Sequence, residues 1–300
     1  MDSERMTAEQ HLQARTAIFQ DDSLPFDTTC PASIKVRSTS PSCITVWRED
    51  SAALSFPGLH TIGGLDISFR DSSGEEGVAV LAILSYPDLK LFKSISRQIS
   101  LKATPYVHSF LSFRESEHYV SLLRELKESG EALPQVLLVD GNGRWHSRQA
   151  GSAVALGVKT GLPTIGVAKE YHPIHSTNPL DDVLVTEVGA NLYPRDFLMS
   201  QKGMRKACQT LLERRGDWIG LPGLAQENDS DGDVVDSWGA ALLASPARSA
   251  SNPTFVSPGH LVSLETSVRL ALACSTNGKV PEPIRQADSI GRAEVKKIWG

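Results

Sequence analysis

The sequence has no long hydrophobic run, few cysteines and no excess of positive charge. No apolar stretch approaches the roughly 18 residues of a membrane-spanning helix, and the polar start, MDSERMTAEQHLQ, is not a secretory signal. We therefore expect an intracellular protein, in the nucleus or the cytoplasm or both, that binds no membrane. The formal net charge of −5 gives no sign of a generally basic surface, so any surface for a polyanion would have to be local.

The four cysteines do not form a recognisable metal-binding pattern. No two of them make a CxxC pair, and none lies beside a histidine at zinc-ligand spacing; they are Cys30, Cys43, Cys208 and Cys274. We expect free thiols in a reduced compartment. HPIH at 172–175 also lacks partner ligands for zinc, and GSAVALGVKT at 151–160 lacks the adjacent Gly-Lys-Ser/Thr of a phosphate-binding loop.

Hydrophobic patterning between residues 61 and 168 predicts the element order β-β-β-α-β-α-β. The first three strands have turn-like links and predict an antiparallel meander; they are 61–70, 77–86 and 89–101. A helix over 110–127, the strand VLLV, a helix over about 149–160 and the strand TIGVA follow. This is the order of a ribonuclease H-like α/β fold, in which the meander joins parallel strands in a mixed sheet with helices on both faces.

The rest of the chain is patterned less clearly. We divide the chain into an N-terminal helix and polar extension (1–60), one α/β domain (61–290) and a charged tail (291–300). In the extension, a helix is predicted over 1–18 and loops over 21–44 and 49–59. Beyond residue 171 we expect a strand at 183–188, a helix at 202–214, an acidic loop at 224–233 and a helix at 264–273.

Two charged residues follow the two apolar strands of the parallel half. Asp140 ends VLLV at a glycine-flanked turn, DGNG, and Lys169 ends TIGVA. Open α/β sheets bind ligands at the carboxyl ends of their strands. A charge at that edge is costly to hold beside the core unless it is paired or binds a metal. The pair therefore indicates a functional site, although a turn aspartate and a surface lysine would give the same pattern.

Two further carboxylates can join Asp140 in this fold. Asp66 lies inside the first strand, where alternation puts Leu65 and Ile67 on the opposite face, and Glu115 lies on the first helix. Alone, each would be read as a solvent-facing charge. Together, three carboxylates would repel one another unless divalent cations held them, and such ligands suit Mg²⁺ or Mn²⁺. A site of this kind supports phosphodiester hydrolysis.

Several other residues carry a functional and a structural interpretation. His146 and His260 could relay protons near neutral pH, or could be exposed or satisfied core histidines. Lys169 near a phosphate would stabilise developing charge. Tyr106, held after Pro105, could be a packing aromatic or a wedge that enters a nucleic-acid stack while a base is displaced.

Seven segments together resemble the endonuclease V family, most closely its eukaryotic members. They occur in the family's order over about residues 61 to 288: IGGLDISF, LSYPDLK, PYVHSFLSFRE, PQVLLVDGNGRWHSR, GLPTIGVAKE, FVSPGHLVSLETSVRL and PEPIRQAD. The resemblance implies a ribonuclease H-like fold and a Mg²⁺-dependent endonuclease, for which Mn²⁺ could substitute. It implies cleavage of inosine-containing nucleic acid at the second phosphodiester bond 3′ to the inosine, leaving 3′-hydroxyl and 5′-phosphate ends, as in DNA repair.

The resemblance also assigns roles to residues. Asp66, Glu115 and Asp140 match the metal-binding carboxylates, and Lys169, His146 and His260 match accessory catalytic positions. The wedge corresponds to Pro105, Tyr106 and Val107, and the inosine pocket to Leu111 and Gly141. The chain departs from the family at His108 and at Ser109, where the family usually has glycine, so the shape of the wedge is open.

Three functions remain distinct at this point. The substrate could be single-stranded RNA, single-stranded DNA or a mismatched duplex, cut by a monomeric endonuclease. The enzyme could instead be an inosine-specific ribonuclease with little DNA activity, since no motif reads the 2′-hydroxyl. A non-catalytic inosine- or lesion-binding protein on the same fold would keep its binding in EDTA and cut nothing in Mg²⁺.

Overall fold

One mixed sheet runs through the part of the chain that the structure, a computed structural model, describes: residues 3–21, 23–28, 30–39, 44–104, 106–174, 200–223, 237–246 and 252–300. The strands found there are β1 (Ile34–Thr39), β2 (Ile44–Arg48), β3 (Thr61–Phe69), β4 (Glu76–Ser85), β5 (Leu91–Ser100), β6 (Val136–Asp140), β7 (Thr164–Ala168), β8 (Asp217–Pro222), β9 (Ser237–Leu242) and β10 (Thr254–His260). Their spatial order is β1-β2-β8-β9-β10-β7-β6-β3-β4-β5.

Helices connect and cover the strands. Those of the described residues are α1 (Ser3–Thr16), α2 (Leu111–Glu128), α3 (Ser152–Thr160), α4 (Gln201–Leu211), α5 (Leu264–Cys274) and α6 (Glu282–Trp299). None of them is long and apolar enough to cross a membrane.

The predicted combination of a meander and parallel strands is confirmed. β3, β4 and β5 pair antiparallel, while β3 pairs with β6 and β6 with β7 in parallel. β10 then runs antiparallel to β7. Since β3, β6 and β7 all point the same way, their carboxyl ends lie at one edge of the sheet, as a ligand site of this fold class requires.

Helices pack on both faces of the sheet, as predicted. On one face, Leu65 and Ile67 of β3 lie in a core with the apolar stripe of α2 and with α3. The stripe follows helical spacing and consists of Tyr119, Leu122, Leu123 and Leu126. On the other face, Ala287 of α6 packs against the β4 side chains Val80 and Ala82. Asp66 therefore faces α6, because alternation turns it away from Leu65 and Ile67.

Two glycines let α6 lie directly on β3. A Cβ atom on Gly64 would come 2.1 Å from the carbonyl carbon of Pro283, at the start of α6. A Cβ atom on Gly291 would come 2.4 Å from Oγ of Ser68. Any side chain at either position would push helix and strand apart. The glycines thus bring the middle of α6 close to Asp66.

The polar extension is more ordered than predicted. The loop prediction for 21–44 is wrong for 34–39, which form β1, and β2 follows at once. β2 pairs antiparallel with β8, with Trp47 stacked on Trp218 at 6.1 Å between ring centroids. Arg48 also forms a salt bridge with the buried Asp217. The polar composition of the extension masked its short alternating strands, which need β8 as a partner.

The other outer segments differ in detail. The charged tail predicted over 291–300 lies in the last part of α6, which continues to Trp299. The helix predicted at 202–214 runs over Gln201–Leu211, and the one predicted at 264–273 runs over Leu264–Cys274. The strand at 183–188 and the acidic loop at 224–233 lie outside the described residues. The domain boundary at residue 61 stays a prediction, and β1 and β2 before it belong to the same sheet.

Candidate active site

The predicted charged pair meets at the edge of the sheet. Asp140 ends β6 in register with Val167 of β7, so Lys169 emerges just beyond it. Nζ of Lys169 lies 2.6 Å from Oδ2 of Asp140. The pair forms because two adjacent parallel strands end together, each with one charged residue.

Asp66 and Glu115 lie in the same cavity as this pair. The cavity has a volume of about 410 Å³ and is named here the carboxylate cavity; its lining includes Asp66, Glu115, Asp140, Gly141, Lys169 and Glu170. Asp66 and Glu115 are each only 6% exposed. Their interpretation as solvent-facing charges is therefore wrong. Oγ of Ser152, at the start of α3, lies 3.4 Å from Oε2 of Glu115 and donates to it.

Burial, and after it repulsion by Asp140, raises the pKa values of Asp66 and Glu115. Burial raises the pKa of Asp66, and repulsion by Asp140 and a hydrogen bond shared with it raise this pKa further, while Lys169 opposes the shift. Burial, together with repulsion by Asp140, raises the pKa of Glu115 to about 8. Both shifts mean that the ionised forms of Asp66 and Glu115 are disfavoured, and that nearby positive charge only partly offsets burial and repulsion.

Lys169 supplies part of that positive charge. Burial lowers the pKa of Lys169, but the attraction of Asp140, Asp66 and Asp288 outweighs it, so that the pKa is raised on balance. Lys169 is therefore a fixed cation at neutral pH. Its ammonium group lines the carboxylate cavity beside Asp140.

Asp288 is a fourth acidic neighbour that sequence analysis missed. It lies on α6, raises the pKa of Asp66 by repulsion, and pairs with Arg292 at 3.0 Å. The close approach at Gly64 and Gly291 brings it there. A signal existed in the sequence, since Asp288 ends the segment PEPIRQAD and follows the buried Ala287, but nothing in the sequence showed that α6 would cross β3.

The donor set fits a hard divalent cation. Carboxylate oxygens are the ligands that Mg²⁺ and Mn²⁺ prefer, and the raised pKa values of Asp66 and Glu115 show that added positive charge would stabilise the cluster. Within the described ranges, however, no three His, Cys, Asp or Glu side chains are already arranged to hold an ion.

A second cavity adjoins the first. It has a volume of about 350 Å³, lies between the loop before α2 and the loop after β6, and is named here the loop cavity. Leu111, Asn142 and His172 line both cavities. The rim carries the exposed Tyr106, which is 60% exposed and followed by Val107 at 39%. Pro105 lies outside the described residues.

The turn after Asp140 is built from glycines. Gly141 has φ +139°, a backbone conformation that residues with a Cβ atom rarely adopt. It lines the carboxylate cavity, whereas the loop cavity is lined by its neighbour Asn142 and by Gly151. A Cβ atom on Gly166 would come 2.3 Å from the backbone nitrogen of Gly143, so the turn lies directly on β7. Glycine at Gly166 allows that close contact.

His146 lies in the loop cavity rather than among the carboxylates. Its Nδ1 accepts a bond from the backbone N–H of Arg148 at 3.2 Å, so Nε2 carries the proton and donates to the Ser109 carbonyl at 3.0 Å. Burial lowers its pKa to about 4, and the charge of Arg148 adds to this. Both ring nitrogens of His146 are thus hydrogen-bonded in the wall of the loop cavity, and its catalytic role stays a prediction.

The structure does not bring His260 to the carboxylates. Because β10 runs antiparallel to β7, its last residue pairs with Thr164 at the start of β7, whereas Lys169 follows the end of β7. Nδ1 of His260 accepts a bond from the backbone N–H of Ile18 at 3.2 Å. The accessory catalytic role that the resemblance implies for His260 stays a prediction, and the structure places this side chain away from the lining of the carboxylate cavity. His260 instead joins the N-terminal segment to the sheet.

Ser109 has a backbone conformation that would suit the glycine expected there from the resemblance. Its φ is +64°, in the left-handed region that costs a residue with a Cβ atom about 1–2 kcal/mol. Three donors hold its carbonyl oxygen: Gln10, His146 and Arg148, at 3.1, 3.0 and 2.8 Å. Serine is thus held by its surroundings in a conformation that glycine adopts freely.

Gln10 on α1 is a second residue that sequence analysis missed. It is fully buried, and its Nε2 donates at 3.1 Å to the carbonyls of both Ser109 and Ala150, which line the loop cavity. Its Oε1 accepts a bond from Nε of Arg148. No signal in the sequence marked it, since its partners lie about a hundred or more residues away. The N-terminal helix therefore fixes the geometry of the loop cavity.

Comparison with known proteins identifies the family. The sequence model of the Endonuclease V family matches residues 46–289. Human endonuclease V is 37% identical over 255 residues, which cover 85% of this chain and 77% of the human protein. The crystal structure of the human protein superposes with a TM-score of 0.69 at 30% identity and covers all of both chains.

A relative from Ciona intestinalis extends the comparison to a complex. Its endonuclease V, bound to a 24-mer DNA that contains an inosine followed by a ribo-adenosine, has a TM-score of 0.70 at 27% identity. The alignment covers 98% of each chain. Together with the family match over most of the sequence, these likenesses show that the chain belongs to the endonuclease V family, a family of endonucleases.

Proposed function

We propose that the protein is a Mg²⁺-dependent endonuclease that cuts inosine-containing nucleic acid at the second phosphodiester bond 3′ to the inosine. The products would carry 3′-hydroxyl and 5′-phosphate ends. The observation that carries this proposal is the meeting of Asp66, Glu115, Asp140 and Lys169 in one cavity beside a second cavity with an exposed aromatic rim. Chemistry and base recognition would each have a site, and the two sites adjoin.

The carboxylates would hold the metal. Asp66, Glu115 and Asp140 would be its ligands, and Asp288 would act on Asp66 from α6, either as a further ligand or through its charge. When bound, Mg²⁺ activates water and stabilises the leaving oxygen, and Mn²⁺ would substitute because it takes the same oxygen ligands. Glu115 and Asp66 would lose their protons on binding, since a cation reverses the repulsion that raises their pKa values.

Lys169 would act on the phosphate. Its ammonium group is held at the strand end by Asp140, and a phosphate in the carboxylate cavity would compete for the same positive charge. Lys169 would then stabilise the negative charge that develops on the phosphate, or orient the attacking water. His146 and His260 enter no step of this scheme, because neither faces the carboxylates in the structure.

The loop cavity would receive the displaced inosine. Tyr106 is placed at its rim with most of its surface exposed, as a wedge that fills the gap left by the base requires. Leu111 would lie between base and phosphate, because it lines both cavities. The Ciona intestinalis complex supports inosine as the base, since the strand in that complex contains one.

Cleavage of matched single-stranded RNA and DNA, each with one inosine and a 5′ label, tests the proposal. We expect one cut at the second bond 3′ to the inosine in Mg²⁺, none in EDTA, and none in strands with adenosine instead. A cut elsewhere, or equal cutting of the adenosine strands, would contradict the proposed function. Cutting of RNA alone would favour the inosine-specific ribonuclease, and binding without any cutting the non-catalytic protein.

A further inference from the structure

A third cavity adjoins the carboxylate cavity. It has a volume of about 70 Å³ and is named here the basic cavity; its lining includes Lys169, Glu170, Gln201, Arg205, Asn252 and Lys279. It shares Lys169 and Glu170 with the carboxylate cavity and no residue with the loop cavity. The carboxylate cavity therefore adjoins both of the others, with Leu111, Asn142 and His172 on the side of the loop cavity and Lys169 and Glu170 on the side of the basic cavity.

The charges in the basic cavity favour an anion. Three cations, Lys169, Arg205 and Lys279, line it together with one carboxylate, Glu170. Burial lowers the pKa of Lys279, and the nearby positive charges of Arg205 and Lys169 lower it too, against the opposing effect of Glu170. Like charges have thus been brought together in a partly buried place, an arrangement that a bound anion would stabilise.

The basic cavity is built on fixed elements. Nζ of Lys279 donates to the backbone carbonyl of Lys169 at 2.8 Å, and the carbonyl of Lys279 accepts a bond from Thr254 on β10 at 2.6 Å. Its wall includes Tyr171, which is buried and packs on Phe255 with ring centroids 5.3 Å apart. Lys279 is therefore held at the end of β7, next to the residue that would act on the scissile phosphate.

We propose that the basic cavity is a phosphate subsite, in which Arg205 and Lys279 bind the backbone phosphate that follows the cleaved bond on its 3′ side. This rests on the proposed function, which fixes the direction of the strand. With the inosine in the loop cavity and cleavage 3′ to it, the strand passes the carboxylate cavity and enters the basic cavity next. The ligand is a phosphodiester of the substrate strand.

The test compares two inosine-containing single strands that differ only at the 3′ end. The short strand ends one nucleotide beyond the cleaved bond and so has no phosphate for the subsite, whereas the long strand continues for several nucleotides. For Arg205→Ala and for Lys279→Ala we expect KM to rise about tenfold on the long strand, because a charge-assisted contact is lost. For Arg205→Ala we expect kcat to change little on the long strand, and neither constant to change on the short one.

A matched control is Lys206→Ala, which removes the neighbouring positive charge on α4 outside the lining of the basic cavity. Binding of the same strands in EDTA gives a second readout that needs no cleavage. We expect Arg205→Ala to reduce the dependence of log K on log salt by about one unit for the long strand alone.

Losses that are equal on both strands, or equal to those of Lys206→Ala, would overturn the subsite. The wild-type protein could also bind the long strand better than the short one, lose that difference in Arg205→Ala, and cut neither strand. That result would contradict the proposed function and leave the subsite standing.

Discussion

Nζ of Lys169 lies 2.6 Å from Oδ2 of Asp140. The ion pair joins the last residue of β6 to the first residue after the parallel strand β7. The pair is partly exposed, with 35% of the Lys169 side chain and 21% of the Asp140 side chain accessible, and it lines the carboxylate cavity. In the proposed function Asp140 would bind the metal and Lys169 the phosphate, so the pair would connect the metal site with the substrate.

Replacing Lys169 tests that relationship. We expect Lys169→Met to lower kcat about 100- to 1000-fold, because a positioned positive charge at the developing oxyanion is removed. Lys169→Arg should keep part of the rate. Single-turnover cleavage of an inosine oligonucleotide measures both, with Lys159→Met as a control for a lysine that pairs with Glu117 on the surface. A Lys169→Met rate within about threefold of wild type would exclude this role.

The raised pKa of Glu115 makes stability depend on pH. The metal-free folded protein keeps a proton on Glu115 up to about pH 8, whereas the unfolded chain loses it near the usual value of 4.5. The free energy of unfolding must therefore fall as pH rises through this window. We expect Glu115→Gln in EDTA to be more stable than wild type at pH 8 by about 1–3 kcal/mol, with little difference at pH 4.5.

Thermal or urea unfolding at the two pH values provides the measurement. Glu117→Gln is the control, since Glu117 lies on the same helix but is exposed. Added Mg²⁺ should stabilise wild type at pH 8 and stabilise Glu115→Gln much less. If the unfolding free energies of wild type and Glu115→Gln changed in parallel with pH, ionisation of the buried Glu115 would not destabilise the folded protein.

Asp288 is predicted to support the metal site from α6. We expect Asp288→Asn to raise the Mg²⁺ concentration for half-maximal cleavage about 10- to 100-fold. Folding should be unaffected or slightly improved, because the repulsion of Asp66 is reduced. Cleavage as a function of Mg²⁺ concentration measures this, with Glu294→Gln on the same helix as control. An unchanged Mg²⁺ requirement would place Asp288 outside the site.

Gln10 is predicted to position the loop cavity. We expect Gln10→Ala to lower the free energy of unfolding by about 1–3 kcal/mol, because the carbonyls of Ser109 and Ala150 each lose a hydrogen bond. KM for the inosine strand should rise more than kcat falls. Leu12→Ala, an exposed residue of the same helix, should change neither by much. Equal losses in KM and kcat would argue that Gln10 serves folding alone.

Local sequence pattern was sufficient to predict where Asp66, Asp140 and Lys169 lie on their strands. Alternation placed Asp66 opposite Leu65 and Ile67, and the apolar strands VLLV and TIGVA placed Asp140 and Lys169 at their ends. These inferences depend on a few neighbouring residues, because pleat and strand direction follow from short-range geometry. The confirmed meander rests on the same kind of signal.

Placements that depend on distant packing could not be predicted from the sequence. The resemblance assigned His260 to the site, whereas the antiparallel direction of β10, which its sequence does not reveal, places His260 opposite the start of β7. Asp288 reaches Asp66 only because α6 crosses β3 at two glycines. Gln10 meets Ala150 across 140 positions of the chain. Such contacts are set by how elements pack, which local propensity does not encode.

The most direct test of the whole account is single-turnover cleavage of an inosine oligonucleotide by Asp66→Ala, measured with binding of the same strand. The account predicts a loss of cleavage of about a thousandfold or more in Mg²⁺, while binding in EDTA stays within about threefold of wild type, because the metal would be held by this carboxylate and the base by another cavity. Cleavage by Asp66→Ala at the wild-type rate would contradict the account.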